Sequence, residues 1–122
     1  LEFRRVLFRS LEPRARAFAR AWYTGDHGRM RAMTDPVLDR QLFAWYRRNG
    51  PPAGDVKPRD SDVTDVKIEY LASQPPASRL KLVLELGSGA NTGGPIEVQL
   101  TWVEREGAWF FTPPAPVMPR GR

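Results

Sequence analysis

Ile96-Glu97-Val98-Gln99-Leu100-Thr101-Trp102 is the stretch whose reading decides the fold class of this chain. Its apolar residues occupy every second position and polar ones stand between them. A period of two is the signature of a strand with one buried and one wetted face. Toward the N-terminus, Leu80, Leu82, Leu84 and Leu86 repeat the pattern, with Lys81 and Glu85 on the other parity. Val66, Ile68 and Tyr70 repeat it again, opposite Lys67 and Glu69. Toward the C-terminus, Glu106-Gly107 supplies a turn, after which Trp109 and Phe111 begin a last strand. The links are short: Gln74-Pro75-Pro76-Ala77-Ser78, and a looser Gly-rich run from Gly87 to Pro95. The pattern predicts an antiparallel meander of about four strands. Its acids, Glu69, Glu85 and Glu97, fall on the solvated side, within reach of Lys67 and Lys81.

Upstream of a Pro-, Gly- and Asp-rich loop over residues 50–61, with a brief extended piece near Val56, the period changes to about 3.6. Leu11, Ala15, Phe18 and Trp22 form one helical stripe, with Pro13 placed in its first turn. Gly25 stops that helix, and Asp26 caps a short second one holding Met30 and Met33 as core filler. Asp35 and Pro36 then read as N-cap and first residue of a third helix, whose stripe is Leu38, Leu42 and Trp45 beside Tyr46. Asn49-Gly50-Pro51-Pro52 ends it. Helices with one apolar stripe and a sheet with one apolar face bury each other. The expected fold class is therefore α+β, N-terminal helices packed on a curved antiparallel sheet. The Pro-rich residues 114–122 are expected to leave the sheet as a disordered tail.

Residues 1–10, Leu1-Glu2-Phe3-Arg4-Arg5-Val6-Leu7-Phe8-Arg9-Ser10, resemble a translated sequencing adapter and are set apart from the fold reading. On that reading the domain spans residues 11–113 and is N-terminally truncated, so that a signal peptide or anchor would lie upstream. The decapeptide contributes +2 of the formal net charge of +5, leaving +3. Arg14, Arg16 and Arg20 are expected to form a solvated helix face, and without a dense basic stripe no nucleic-acid partner is expected. The absence of cysteine excludes thiolate chemistry, and one histidine, His27, is too few for a His-based metal site. No apolar run reaches the roughly 18–20 residues of a membrane span.

Ala17-Phe18-Ala19-Arg20-Ala21-Trp22-Tyr23-Thr24-Gly25-Asp26, the segment Met30 to Pro36, and the closing Leu100 to Phe111 carry a resemblance. In order and spacing they are similar to the nuclear-transport-factor-2-like superfamily, including its SnoaL-like members. The resemblance covers nearly all of residues 11–113 and rests on structural motifs. It implies a cone-shaped roll, also described as cystatin-like, whose use depends on what lines the cone. It implies two readings: a non-catalytic binding or assembly module, as in bacterial envelope or secreted proteins, or a small-molecule isomerase, cyclase or dehydratase. An open cone would offer Trp22, Tyr23, Tyr70 and Trp102 to a small apolar ligand.

Catalysis in such a cone needs an acid or base within hydrogen-bond reach of the substrate. None of the inward strand positions is Asp, Glu or His, which favours the non-catalytic reading. The catalytic alternative falls to Tyr70, Asp26 and His27, although Asp26 and His27 read better as a helix cap and an exposed neighbour. Gly87 to Gly94 lacks the Gly-Lys-Ser/Thr ending and following helix of a phosphate cradle and reads as a hairpin loop. Trp45-Tyr46-Arg47-Arg48 suits a partner surface or a helix C-terminus equally. No metal or cofactor is expected. The partner is expected to be a protein or a small apolar ligand, a homodimer is left open, and an extracytoplasmic or cell-envelope location is favoured over a cytoplasmic one.

Overall fold

The computed structural model describes residues 2–52, 57–87 and 94–114, with side chains from Ser10 onward. Helix α1 covers Glu2–Thr24, α2 covers His27–Ala32 and α3 covers Asp39–Asn49, with 3-10 turns at Pro36–Leu38 and Asp60–Asp62. The strands are β1 Val63–Gln74, β2 Ala77–Leu86, β3 Ile96–Arg105 and β4 Ala108–Phe111. They form one antiparallel meander in the order β1-β2-β3-β4. The α+β class is as the alternation predicts. The extended piece near Val56, residues 88–93 of the Gly-rich loop and residues 115–122 of the tail lie outside the described residues.

Helix α1 departs from its expected start. It runs back to Glu2, so Pro13 lies inside the helix and not in its first turn. Proline removes one donor to the carbonyl four residues back, which weakens a helix without obliging it to stop. The far end is as read: Gly25 takes φ +73°, and Asp26 accepts from the Arg29 amide at 3.1 Å to cap α2. Only a residue without Cβ adopts that φ cheaply. Asp35 caps in the same way, accepting from Val37 N at 3.1 Å, but the turn it starts is 3-10, and α3 begins only at Asp39.

The helices cover one face of the sheet, with α1 touching β1, β2 and β4. Leu80, Leu82, Leu84, Val98, Leu100, Trp102, Trp109 and Phe111 are buried beneath them, as their parity requires. At the centre, the Phe18 ring lies 4.7 Å from Phe111, 5.6 Å from Trp102 and 6.2 Å from Trp45. Trp45 meets Phe111 edge-on at 4.8 Å. Tilted and edge-on pairs of this kind add about 0.5–1.5 kcal/mol each beyond the area they bury. On the opposite face the predicted charge ladder forms, Lys67 to Glu85 at 3.1 Å and Lys81 to Glu69 at 3.5 Å, with Glu97 4.0 Å from Lys81.

Strand β1 is less regular than its sequence suggests. The register shifts between Val63 and Asp65 and again between Tyr70 and Ala72. The first shift lets Val63 and Val66, three residues apart, both reach the core. Tyr70 pairs with Leu80 and so keeps the inner parity, yet it is 40% exposed. It stands on an edge strand, where a neighbour covers one flank only.

Arg14, Arg16 and Arg20 of α1 do more than solvate its surface, and here the expectation is corrected. Arg14 Nε donates to the Trp109 carbonyl on β4, Arg16 Nε to Val66 O on β1 at 3.3 Å, and Arg20 to Asp60 O at 3.2 Å. A helix lying across the sheet thus uses guanidinium groups to satisfy one carbonyl on each edge strand and one on the turn before β1. β4 is held further by the amide of Phe111 donating to Met33 O at 2.8 Å, with a parallel bridge between Thr34 and Phe111.

Candidate functional site

A cleft of about 580 Å³ opens where the end of α3 approaches the start of β3. Trp22, Asn49, Gly50 and Pro52 line its helical side, and Ile96, Glu97, Val98 and Gln99 line the other. Each wall follows from local structure. Asn49-Gly50 ends α3, and the Trp22 indole donates to the Asn49 carbonyl at 2.7 Å, fixing the ring at the bottom of the cleft. The Asn49 amide reaches back to Trp45 O at 3.1 Å. Four consecutive residues of β3 line the cleft, so it runs along the strand's edge and meets side chains of both parities.

The four residues expected around an open cone do not share one site. Trp22 borders the edge cleft. Tyr23, next on the helix and therefore rotated by about 100°, is buried and donates to Asp62 Oδ2 at 3.1 Å. Tyr70 lies at the rim and donates to Glu12 Oε2 at 2.7 Å. Trp102 lies in the core against Phe18 and Phe111, and its buried indole N–H has no hydrogen-bond partner among the described residues. The proposed catalytic group of Tyr70, Asp26 and His27 is likewise spread out. Asp26 is exposed and occupied as a cap, while His27 stacks on Phe43 at 5.4 Å and meets Tyr46 edge-on at 4.8 Å. Tyr70 is tied to Glu12, and the twelve residues of α1 from there to Thr24 span on the order of 18 Å.

Periodicity missed two buried carboxylates. Asp62, on the 3-10 turn before β1, accepts from the Tyr23 hydroxyl, from Arg59 N at 3.0 Å and from the Arg59 guanidinium at 3.4 Å. The Arg59 backbone hydrogen bond, ahead of the Tyr23 hydroxyl, lowers its pKa below the ordinary carboxylate value, against a smaller opposing effect of burial. Asp35 is buried beside Arg105, which donates to it from β3. The Asp-Ser-Asp run before the strand and the Asp35 cap signature were visible, but neither indicates burial. A carboxylate held ionised by several donors suits a structural anchor better than a general base tuned near neutrality. Among the described residues no group of three or more His, Asp or Glu is placed to hold a metal ion.

The three tyrosines give a test of this geometry. Burial raises the pKa of Tyr23, Tyr46 and Tyr70, and hydrogen bonds to Asp62 and Glu12 add to the effect at Tyr23 and Tyr70. The protonated phenols therefore stabilise the fold at pH below about 10, the unfolded value, and that stability is lost as pH rises through the folded values. Tyrosinate absorbance should stay low in the folded protein at pH 10 and rise together with loss of near-ultraviolet circular dichroism. Half-titration of the folded protein near pH 10 would contradict the placement.

No family model, curated protein or solved structure matches the chain. No described helix is long and apolar enough to cross a membrane.

Proposed function

We propose that this chain is a non-catalytic binding or assembly domain of the nuclear-transport-factor-2-like kind, acting through its surface and not through an internal cavity. The filled interior carries this reading. Where a cone-type enzyme would keep space for substrate, Phe18, Trp45, Trp102 and Phe111 interlock at ring separations of 4.7 to 6.2 Å. The dispersal of Tyr70, Asp26 and His27 supports it from the side of chemistry, since general acid–base catalysis needs its groups around one reacting atom. The ionised state favoured at Asp62, and its full set of donors, support it as well.

The indole N–H signals of the four tryptophans provide the test, by titrating the labelled protein with small apolar ligands such as steroids and polycyclic aromatics. Trp102 and Trp45 signals are expected to stay in place. A saturable shift of the Trp102 indole, whose buried N–H is unpaired among the described residues, would mean that the cone admits ligand, and the non-catalytic reading would fall.

A further inference from the structure

We propose that the open edge of β3 over Ile96–Gln99 docks an extended peptide segment in which apolar residues alternate with basic ones. This rests on the non-catalytic reading and names its site and partner. Arg16 meets β1, while Arg14, Met33 and Thr34 meet β4. β3 is covered by β4 only from Trp102 to Arg105. Beyond that pairing, Thr112 N donates to Thr101 O at 2.8 Å. Antiparallel hydrogen bonding recurs at every second residue, so the next bonding position sets Gln99 against Pro114. Proline has no N–H to give, and β4 cannot extend as a regular strand. By the same alternation, the backbone N–H and C=O of Gln99 and Glu97 face the cleft, and among the described residues nothing pairs with them there.

An unpaired edge of four residues, about 13 Å long, accepts an added strand through main-chain hydrogen bonds, and side chains set the choice of partner. On the inner parity the incoming residues would meet the half-buried Ile96, beside the small exposed margins of Val98 and Trp22. On the outer parity they would meet Glu97, which is exposed and whose neighbour Lys81, 4.0 Å away, is shared with Glu69 at 3.5 Å. A cation facing Glu97 from the added strand supplies an opposite-charge cross-strand partner on the flank away from Lys81. The alternation of the partner therefore mirrors that of β3 itself.

The test titrates the labelled full chain with two capped heptapeptides, one alternating valine with lysine and one alternating valine with glutamate. The lysine peptide should shift the Glu97 and Gln99 amides and the Trp22 indole saturably, leave the Trp102 indole unmoved, and bind roughly fivefold more tightly than the glutamate peptide. Glu97→Lys, at an exposed site that does not threaten folding, should reverse the order of the two peptides. The proposal is overturned by equal binding of both, by no binding, or by an unchanged order in Glu97→Lys. It is overturned equally if the two amides resist hydrogen exchange in the free chain and lose protection when residues 115–122 are removed, since the chain's own tail would then be the occupant. In any of these cases a Trp102 indole unmoved by small apolar ligands leaves the non-catalytic reading standing.

Discussion

Phe18→Ala should lower the unfolding free energy by about 3–5 kcal/mol, the range for deleting a fully buried aromatic ring. Phe18 has no exposed surface, and it is the side chain of α1 that touches Trp45, Trp102 and Phe111 at once. Its loss removes the link between helix layer and sheet at the centre, where collapse into the space is hindered by rings already in contact. A domain of this size holds on the order of 5–15 kcal/mol in total, so the variant should sit near the edge of folding. Urea denaturation followed by tryptophan fluorescence measures the change. Val37→Ala is the control: Val37 is 82% exposed, and its replacement should alter stability by no more than about 0.5 kcal/mol. A Phe18→Ala midpoint close to that of Val37→Ala would refute the filled interior on which the functional proposal rests.

The second large effect compares neighbours. Leu100→Lys should prevent folding, because it places an ammonium group in the core, where the effective penalty is several kcal/mol per ion. Gln99→Lys, one residue earlier, should still fold, at a cost on the order of 1 kcal/mol, because its side chain is exposed and only faces Lys81 across the strand pair. A strand turns successive side chains to opposite faces, and at Leu100 the inner face of β3 is covered. Circular dichroism and thermal melts of the two variants suffice. Equal tolerance at both positions would mean that the parity of β3 has been misjudged, and with it the charge pattern of the proposed docking edge.

Much of this fold is legible in the sequence because it depends on short-range order. Leucines at every second position of β2, the Leu11-to-Trp22 stripe, and the turn signals at Gly25 and Glu106-Gly107 each act within a few residues. The charge ladder of Lys67, Lys81, Glu69 and Glu85 is legible for the same reason, since parity places those groups on one face. Pro13 shows where local rules mislead: proline signals a preferred helix start, but α1 continues through it. Tyr70 shows a second failure. Its parity is right and its burial wrong, because parity carries no information about where the covering layer ends.

The candidate site was harder to foresee. Trp22 could be named as a binding residue, but its partners in the cleft come from the end of α3 and from β3, some 27 and 74 residues away along the chain. Asp62 lies on a turn where neither period applies, and only the approach of Tyr23 and Arg59 makes it a buried, ionised anchor.

Alternation and helical spacing by themselves determined the class of the fold, the order of its elements and the face each strand turns inward, because these follow from backbone geometry and the transfer of apolar groups from water. Tertiary structure alone decided that aromatic rings meet in the interior, that Arg14 and Arg16 of α1 each reach a carbonyl on an edge strand, and that one stretch of β3 stays unpaired among the described residues. Those outcomes depend on which distant groups meet and on how completely they fill the space between layers, and a linear pattern of residue types does not encode either.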